Sequence, residues 1–418
     1  MFKFLHAADI HLDSPMLGLD RYEGAPASEC REAGRRALEN LVGLAIDERV
    51  AFVLIVGDLY DGDWPDYNTG LFFSAQMARL RDEGIEVYLI RGNHDAANRM
   101  TKDLRPLSNV KFLSDRRPES IVLDDLDVAI HGQSYPQSAV TENLAQSYPE
   151  RVPGRFNIGL LHTGVEGREG HARYAPCVLN DLRRHDYDYW ALGHIHKRET
   201  LIAADPVVAF PGNLQGRNVR ESGPKGCLLV TVDDAGRVTV ENRWLDVLRW
   251  GVCRVDASGA RDGDDLLARF RERLGLMLPE CDDRLLALRV EFHGACPAHG
   301  ETSSNWPYWS NELRQTATDA GSGRVWVEKV VARTASPPVP IDPEDDGPRA
   351  ELAALLAELR NEPNRLRAMF DRELVDVRKK APWLLEELET PERLRDLLEQ
   401  VEPLLLGRLD GVSGSVPP

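Results

Sequence analysis

The sequence lacks the paired cysteines and long apolar runs that characterise disulfide-rich secreted proteins and membrane-spanning proteins. Only 6 of the 418 residues are cysteine, and no two of them form a C-x-x-C pair, which fits a reducing compartment better than a disulfide framework. Cys296 and His299 form a lone C-x-x-H, but two ligands do not close a structural zinc site. No apolar run is as long as a membrane span, and no leader-like segment precedes the first apolar run. We therefore expect a cytoplasmic protein without membrane contact.

A net positive charge and a nucleotide-binding phosphate loop are also missing. Asp and Glu number 68 against 51 Lys and Arg, a formal net charge of -17, which argues against a protein that is basic overall but does not describe a local site. No G-x-x-x-x-G-K-[ST] segment occurs, so an ATP-driven step would require another subunit. The composition, 42% hydrophobic and 28% charged residues, is typical of a globular protein with two or three domains.

Short apolar runs alternate with amphipathic segments in the first part of the chain. Strands are predicted at 2–8, 51–56, 86–91, 157–162 and 187–192, and helices at 32–48 and 67–83. This alternation is typical of βαβ units and a largely parallel sheet. Later apolar runs at 207–210, 226–232 and 238–244 predict a second sheet. The expected fold class is α/β, with a two-sheet β-sandwich core flanked by helices.

The remaining chain divides by pattern into three further segments. We assign 1–244 to a catalytic domain and 245–333, which mixes strand and helix signals, to a small α+β domain. Residues 334–348 concentrate Pro, Ser, Asp and Glu and predict a linker, and 349–412 predict helices. Leucines there recur at i, i+3, i+4 and i+7, as in Leu352, Leu355, Leu356 and Leu359. Such stripes pack on their own chain or dock a partner helix, and the sequence leaves both interpretations open.

Metal-binding residue types follow five of the predicted strands. They are Asp9, His11, Asp58, Asn93, His94, His162, His194 and His196. Because the carboxyl ends of strands line one crevice in an open α/β sheet, we expect these side chains to converge. Each alone has another interpretation, since an Asp after a strand often caps a helix and a buried His is often hydrogen-bonded core. The occurrence of all these residues at strand ends, in this order, favours a metal site.

The chemistry of this donor set predicts a site for two divalent metal ions. Carboxylate, imidazole and amide ligands without a thiolate suit Mn, Fe or Zn, and we expect Mn²⁺. Two ions about 3.5 to 4 Å apart activate water and neutralise phosphoryl charge in phosphate-ester hydrolysis. A carboxylate can serve both ions with its two oxygens, and Asp58, which follows a glycine at the end of a predicted central strand, is the expected bridge.

The ordered motifs Asp-x-His, Gly-Asp, Gly-Asn-His-Asp, His and Gly-His-x-His, over residues 9 to 196, resemble the calcineurin-like metallophosphoesterase superfamily. The resemblance implies one metal bound by Asp9, His11 and His196. It implies a second metal bound by Asn93, His162 and His194. Asp58 would be shared by both ions.

The same resemblance implies roles for three further residues. His94 would protonate the leaving group or stabilise the transition state without binding metal. Asp61, three residues after the shared carboxylate, would orient that histidine, because a carboxylate partner tunes the pKa of a general acid. Asp95 is expected to make a structural hydrogen bond to the loop.

Within the superfamily, the chain resembles the nuclease branch that contains SbcD and the Mre-type repair nucleases. The strings FLHAADIHLDSP, VLIVGDLYD and FPGNLQGRNVRESGPKGCLLVTVD look most like the YhaO group. The resemblance implies a DNA exo- or endonuclease in DNA repair, with 245–333 as a DNA-contacting cap. It also implies C-terminal helices that bind an SMC-like coiled-coil ATPase, and a homodimer whose face could include Leu17, Leu71 and Phe72.

Alternative functions remain open at this point. The same metal centre would serve a small-molecule phosphodiesterase or phosphatase, since a fold does not determine its substrate. A binding subunit with vestigial activity is a further alternative, against which the complete ligand set argues. Cations expected near the crevice, each a DNA contact or an ion-pair partner, are Arg91, Arg99, Arg168, Arg173, Lys197, Arg198, Arg217 and Arg220.

Overall fold

The computed structural model describes most of the chain. The described residues are 1–14, 26–61, 67–97, 106–165, 174–337 and 347–369, with positions 374, 375, 390, 393, 394, 397, 398 and 405. Leu17, Arg99, Arg168 and Arg173, which the sequence suggested for a dimer face or for DNA contacts, lie outside these residues.

The described residues contain strands and helices in alternation through the first part of the chain. The strands are β1 (Phe2–Ala7), β2 (Phe52–Val56), β3 (Glu86–Ile90), β4 (Val110–Phe112), β5 (Glu119–Leu123), β6 (Val128–Gly132), β7 (Phe156–His162), β8 (Tyr189–Gly193), β9 (Glu199–Ile202), β10 (Val207–Phe210), β11 (Gly226–Val232), β12 (Val238–Trp244), β13 (Leu248–Asp256), β14 (Leu285–Ala295) and β15 (Val325–Ala335). The α-helices are α1 (Ala27–Asp47), α2 (Asn68–Asp82), α3 (Asn93–Ala97), α4 (Leu179–Arg183), α5 (Gly263–Met277), α6 (Ala298–Ser304), α7 (Trp306–Ala320), α8 (Pro348–Asn361) and α9 (Pro363–Met369).

Two six-stranded mixed sheets form the core. The first has the order β12-β11-β1-β2-β3-β4, with β1 to β4 parallel and β11 antiparallel to β1. The second has the order β5-β6-β7-β8-β10-β9, with β6, β7, β8 and β10 parallel between antiparallel edge strands. The predicted α/β fold class, a two-sheet core flanked by helices, is therefore confirmed. A third sheet has the order β13-β14-β15.

Aromatic side chains fill the space between the two large sheets. The ring of Phe4 stacks on Phe52 at 5.1 Å and meets the ring of Tyr189, from the second sheet, edge-on at 5.4 Å. All three side chains are fully buried. This explains why the strands appear in the sequence as nearly continuous apolar runs, since both of their faces are covered.

Helix α1 packs against the other face of the first sheet and begins earlier than predicted. The periodicity of the large apolar residues predicted a start at residue 32, whereas the helix begins at Ala27, directly after Pro26. Cys30 is buried on the added turn, and Ala33 and Ala37 continue its buried stripe. These small side chains extend the buried stripe but are weak signals in a pattern of large apolar residues.

The chain divides into two compact units. One comprises Met1–Val252, Glu280–Leu288 and Arg324–Glu328, and the other comprises Cys253–Pro279, Arg289–Gly323 and Lys329–Pro418. The boundaries assigned from sequence stay a prediction. Among the described C-terminal positions, a cluster of buried leucines forms from Leu356, Leu359, Leu366, Leu394 and Leu398. No helix in the described ranges is long and apolar enough to cross a membrane.

Candidate metal centre

The carboxyl ends of the central strands of both sheets meet at one crevice. The imidazole of His162, at the end of β7, lies with Nδ1 3.0 Å from the carbonyl oxygen of Val56, at the end of β2. Four predicted ligands on these strand ends have left-handed backbone, with φ of 50° at Asp9, 46° at His11, 50° at Asp58 and 98° at His194. Non-glycine residues adopt this region at a cost, and such strain concentrates at functional sites.

Glycine makes the close approach of the strand ends possible. A Cβ added to Gly193 would overlap the carbonyl oxygen of Val56 and lie 3.0 Å from Nδ1 of His162. Gly57 has a φ of 82°, and a Cβ there would overlap the His162 ring. The glycines of the Gly-Asp and Gly-His-x-His motifs thus leave room for the histidine that links the two sheets.

We expect Gly193→Ala to lower the free energy of unfolding by about 1 to 3 kcal/mol, because overpacking forces the neighbouring strand end to move. Urea unfolding of the metal-free protein measures the change. The control is Gly43→Ala in α1, where an added Cβ meets no atom within 4 Å, so it should be neutral or stabilise by up to about 1 kcal/mol. Equal unfolding midpoints for wild type and Gly193→Ala would contradict the packing argument.

All of the predicted ligands lie in this crevice. Groups of ligand atoms within 4.8 Å of one another come from Asp9 with His11 and His196, from Asp58 with His162 and His194, and from His11 with Asp58 and His94. Asn93 joins the second group, with Oδ1 3.1 Å from Nε2 of His162. This grouping places Asp58 beside both sets of ligands.

Two short distances show where a cation fits the first group. Nε2 of His11 lies 3.2 Å from Nε2 of His196, which is 3.8 Å from Oδ1 of Asp9. Nδ1 of His196 is 2.7 Å from a carboxylate oxygen of Glu221, so Nδ1 carries the proton and Nε2 presents a lone pair. Nδ1 of His11 is buried with no hydrogen-bond partner among the described residues. Nε2 of His196 is therefore suited to bind a cation, and Nε2 of His11 lies close enough to share it.

The ligand atoms of the second group are also placed to bind a cation. Nδ1 of His162 donates to the carbonyl of Val56, and its Nε2 faces two oxygens, Oδ1 of Asn93 at 3.1 Å and Oδ2 of Asp58 at 3.4 Å. A neutral imidazole would direct its remaining lone pair at these acceptors. A proton or a metal ion resolves the conflict, and the mixed donors fit a divalent metal. Burial opposes the charged form, but Asp58 raises the pKa of His162 to about 9.

The buried carboxylates of the crevice also fit positive charge. The main-chain N–H of His194 donates to both oxygens of Asp9, at 3.1 and 3.0 Å. Burial raises the pKa of Asp9, while the neighbouring imidazole of His196 opposes the increase. Burial also acts on Asp58, but its interactions with His162 outweigh it and lower the pKa of Asp58. Bound cations would hold both groups ionised where water cannot.

His94 stands at the rim with Asp61. Its Nδ1 is 2.8 Å from Oδ1 of Asp61, and its side chain is 41% exposed, whereas that of the predicted ligand His11 is 1% exposed. The hydrogen bond to Asp61 raises the pKa of His94 against the effect of partial burial. Ser14 donates to Asp61 at 2.7 Å. A proton donor held by a carboxylate and open to a substrate is the arrangement that general acid catalysis needs.

Asp95 supports the loop rather than the crevice. Its carboxylate accepts the backbone N–H of Leu59 at 3.2 Å, of Tyr60 at 2.9 Å and of Gly92 at 3.0 Å. These bonds tie the Gly-Asn-His-Asp turn to the loop that carries Asp58. The structural role expected for Asp95 agrees with these contacts.

Comparison with known families agrees with this geometry. Residues 2–198 match the family described as calcineurin-like phosphoesterase. This part of the chain is a calcineurin-like metallophosphoesterase domain. Residues 250–335 match a second family, the middle domain of metallophosphoesterase YhaO. Membership of this domain in the family, together with the Asp and His groups of the crevice, supports a dimetal phosphoester hydrolase.

The relatives of this chain include proteins named for DNA repair. It is 39% identical to the uncharacterized metallophosphoesterase YhaO of Bacillus subtilis, over 62% of this chain and 64% of that protein. It is 25% identical to the DNA double-strand break repair protein Mre11 of Sulfurisphaera tokodaii, over 62% of this chain and 67% of that protein. The Mre11 of Methanopyrus kandleri is 24% identical over 78% of this chain and 70% of that protein. The chain thus spans a little under two thirds of the length of YhaO.

Two residues of the metallophosphoesterase crevice were not assigned their roles from sequence. Glu221 holds Nδ1 of His196 and was not among the predicted site residues. Arg217, predicted as a DNA contact or ion-pair partner, is an ion-pair partner of Asp61 at 3.2 Å and of Glu221 at 3.0 Å. Both lie in the string FPGNLQGRNVRES, whose charged residues after a buried strand were the available signal.

Other cations expected at DNA contacts also have partners in the protein. The guanidinium of Arg91 lies 3.7 Å from Asp115 and over the ring of Phe112. That of Arg198 lies 4.1 Å from the ring centre of Trp244. Lys197 and Arg220 are exposed. The described surface near the crevice therefore offers fewer available cations than the sequence suggested.

Proposed function

We propose that this protein is a phosphodiesterase that uses two divalent metal ions to cleave DNA, as an exo- or endonuclease in DNA repair. The observation that carries the proposal is the convergence of two ligand groups on Asp58, with the His94–Asp61 pair at the rim. The similarity to proteins named for double-strand break repair supports DNA as the substrate. We propose Mn²⁺ as the metal, with Fe or Zn as alternatives that the same donors accept.

The residues present fit both ions. Asp9, His11 and His196 would hold one, Asn93, His162 and His194 the other, and Asp58 both. When bound, the ions would lower the pKa of a water molecule and neutralise phosphoryl charge. The oxygen of a water molecule bonds to phosphorus and loses a proton to solvent, while the bond from phosphorus to the leaving oxygen breaks. The leaving oxygen takes a proton from the imidazole of His94, which regains one from solvent. Asp61 keeps that imidazole oriented and protonated, through the 2.8 Å contact.

The proposal includes two protein partners, an ATPase and a second copy of this chain. We propose that the C-terminal helices bind an SMC-like coiled-coil ATPase, since the sequence has no phosphate loop of its own. Among described C-terminal side chains, Met369, Leu397 and Leu405 are exposed and apolar, which supports a docking surface. A homodimer through the helices of the first domain is also proposed. There Leu71 on α2 is 56% exposed, whereas Phe72 packs against the core and the Arg35 guanidinium.

A small-molecule phosphodiester is the second candidate substrate. The observation that favours it is the engagement of Arg91, Arg198 and Arg217 with protein groups. Together with the net charge of -17, this predicts weak electrostatic attraction to duplex DNA, which relies on available Lys and Arg.

The test compares two substrates under the same metal conditions. End-labelled linear duplex DNA and bis-p-nitrophenyl phosphate are incubated with the metal-free protein after addition of Mn²⁺, Mg²⁺ or Zn²⁺. We expect Mn²⁺-dependent degradation of the DNA that stops on chelation. Asp58→Asn, purified in parallel, excludes a contaminating nuclease.

The outcomes separate the parts of the proposal. Cleavage of both substrates by the wild type alone supports the nuclease. Cleavage of the small diester only would retain the metal-dependent phosphodiesterase and reject isolated duplex DNA as its substrate, and adding the ATPase partner then decides whether DNA needs it. Cleavage of neither with any of the metals would contradict the proposed chemistry.

A further inference from the structure

Residues 212–225, which follow β10 and which we call the return segment, surround His196. Within this return segment, the main-chain N–H of Asn213 donates to the carbonyl oxygen of His196 at 3.3 Å. Nζ of Lys225 donates to the same oxygen at 2.9 Å. Glu221 accepts the Nδ1–H of the imidazole at 2.7 Å. The return segment therefore holds both the backbone and the ring of this one histidine.

Glu221 is held in turn by donors on both of its oxygens. Oε1, the oxygen that accepts from His196, also accepts from Nη2 of Arg217 at 3.0 Å. Oε2 accepts from Nδ2 of Asn213 at 2.9 Å and from the main-chain N–H of Arg217 at 2.8 Å. A carboxylate with both oxygens engaged has one orientation, so it fixes the ring that it binds.

Arg217 extends this arrangement to the other side of the crevice. Its Nη1 donates to Oδ2 of Asp61 at 3.2 Å, while its Nη2 donates to Glu221. The arginine side chain is 18% exposed, as is that of Asp61. Asp61 binds Nδ1 of His94, and Glu221 binds Nδ1 of His196. One planar guanidinium thus lies between the carboxylates that orient two histidines of different proposed roles.

We propose that Arg217 is a positioning residue that couples the proton-donating imidazole of His94 to the metal-binding imidazole of His196 through Asp61 and Glu221. A lysine ammonium is a point charge without a planar fork, so it cannot reproduce both contacts. The catalytic part of this inference rests on the proposed phosphodiesterase function. The metal-binding part does not.

Arg217→Ala, Arg217→Lys and the wild type are compared in two measurements. Calorimetric titration of the metal-free proteins with Mn²⁺ reports binding. Hydrolysis of a phosphodiester with an alkoxide leaving group, which needs the proton from His94, reports kcat and KM. For Arg217→Ala we expect one of two Mn²⁺ ions to bind about 10- to 100-fold more weakly and kcat to fall by a similar factor, with KM little changed. Added guanidinium should restore part of both losses, and urea at the same concentration should not. Arg217→Lys should fall between the wild type and the alanine variant.

Arg155→Ala is the matched control. Arg155 also bridges two carboxylates, Asp124 at 2.7 Å and Asp127 at 3.2 Å, with 22% of its side chain exposed. It contacts none of the predicted site residues, so its loss should leave Mn²⁺ binding and kcat unchanged.

The proposal is overturned if Arg217→Ala binds both ions as tightly as the wild type, or if guanidinium and urea have the same effect on it. If the alanine variant does not fold, Arg217→Lys decides, and wild-type Mn²⁺ affinity in that variant overturns the proposal. A wild type that hydrolyses no diester would reject the proposed function, while the Mn²⁺ titration would still decide the role of Arg217.

Discussion

Replacing Asp58 by asparagine is expected to lower Mn²⁺-dependent diester hydrolysis by about 1,000-fold or more and to leave the protein unable to hold two ions. Oδ2 of Asp58 lies 3.4 Å from Nε2 of His162 and 3.9 Å from Nε2 of His11. The carboxylate therefore contributes negative charge to both ligand groups. An amide has one weakly charged oxygen, and its NH₂ group would repel a cation on the other side.

Metal content after dialysis, together with kcat, checks this prediction. Asparagine keeps an oxygen that can accept the main-chain N–H of His94, which donates to Oδ1 of Asp58 at 2.9 Å, so gross rearrangement of the turn is not expected. Asp181→Asn is the control, because Asp181 is also buried but binds Asn143 and the N–H of Val178. That variant should retain two ions. An Asp58→Asn protein with two ions and more than a tenth of the activity would contradict the bridging role.

For a diester with an alkoxide leaving group, His94→Gln is expected to lower kcat by about 100- to 10,000-fold while both ions remain bound. The residue is not one of the predicted ligands of either ion, although its ring lies in a group with His11 and Asp58. Its imidazole is held by Asp61 at the exposed rim. If it donates a proton, the loss should be large for a diester with an alkoxide leaving group and small for one that releases p-nitrophenolate, which needs little protonation. Equal losses with both would instead indicate that His94 stabilises charge in the transition state. His185→Gln, at a histidine that binds the carbonyl of Ala145, is the control.

The pH profile gives an independent check on the same pair. Asp61 raises the pKa of His94 through their hydrogen bond, and a general acid is active only while protonated. Activity should therefore fall as the pH rises through this raised pKa. In Asp61→Asn the raising interaction is lost, so the alkaline limb of kcat/KM should move to lower pH, and kcat should fall. An unchanged limb would show that Asp61 does not set the protonation of His94.

Much of the architecture could be predicted because its signals are local. A strand covered on both faces appears in the sequence as an apolar run, as in β2. The residues at its carboxyl end follow that run directly in the sequence. For this reason Asp58, after β2, and His162, at the end of β7, could be assigned to one crevice before any distance was known. Helix α1 was predicted with a late start, since Cys30, the buried residue of its first turns, is small and contributes weakly to periodicity.

The sequence by itself determined the two-sheet α/β class and which side chains reach the crevice, because strand periodicity and strand ends are properties of neighbouring residues. Tertiary structure alone decided how those side chains are held. Glu221 lies 25 positions after His196, and Arg217 lies 156 positions from Asp61, so no local pattern connects them. Ion pairs of this kind depend on how loops from different strands meet, and that depends on the packing of the two sheets.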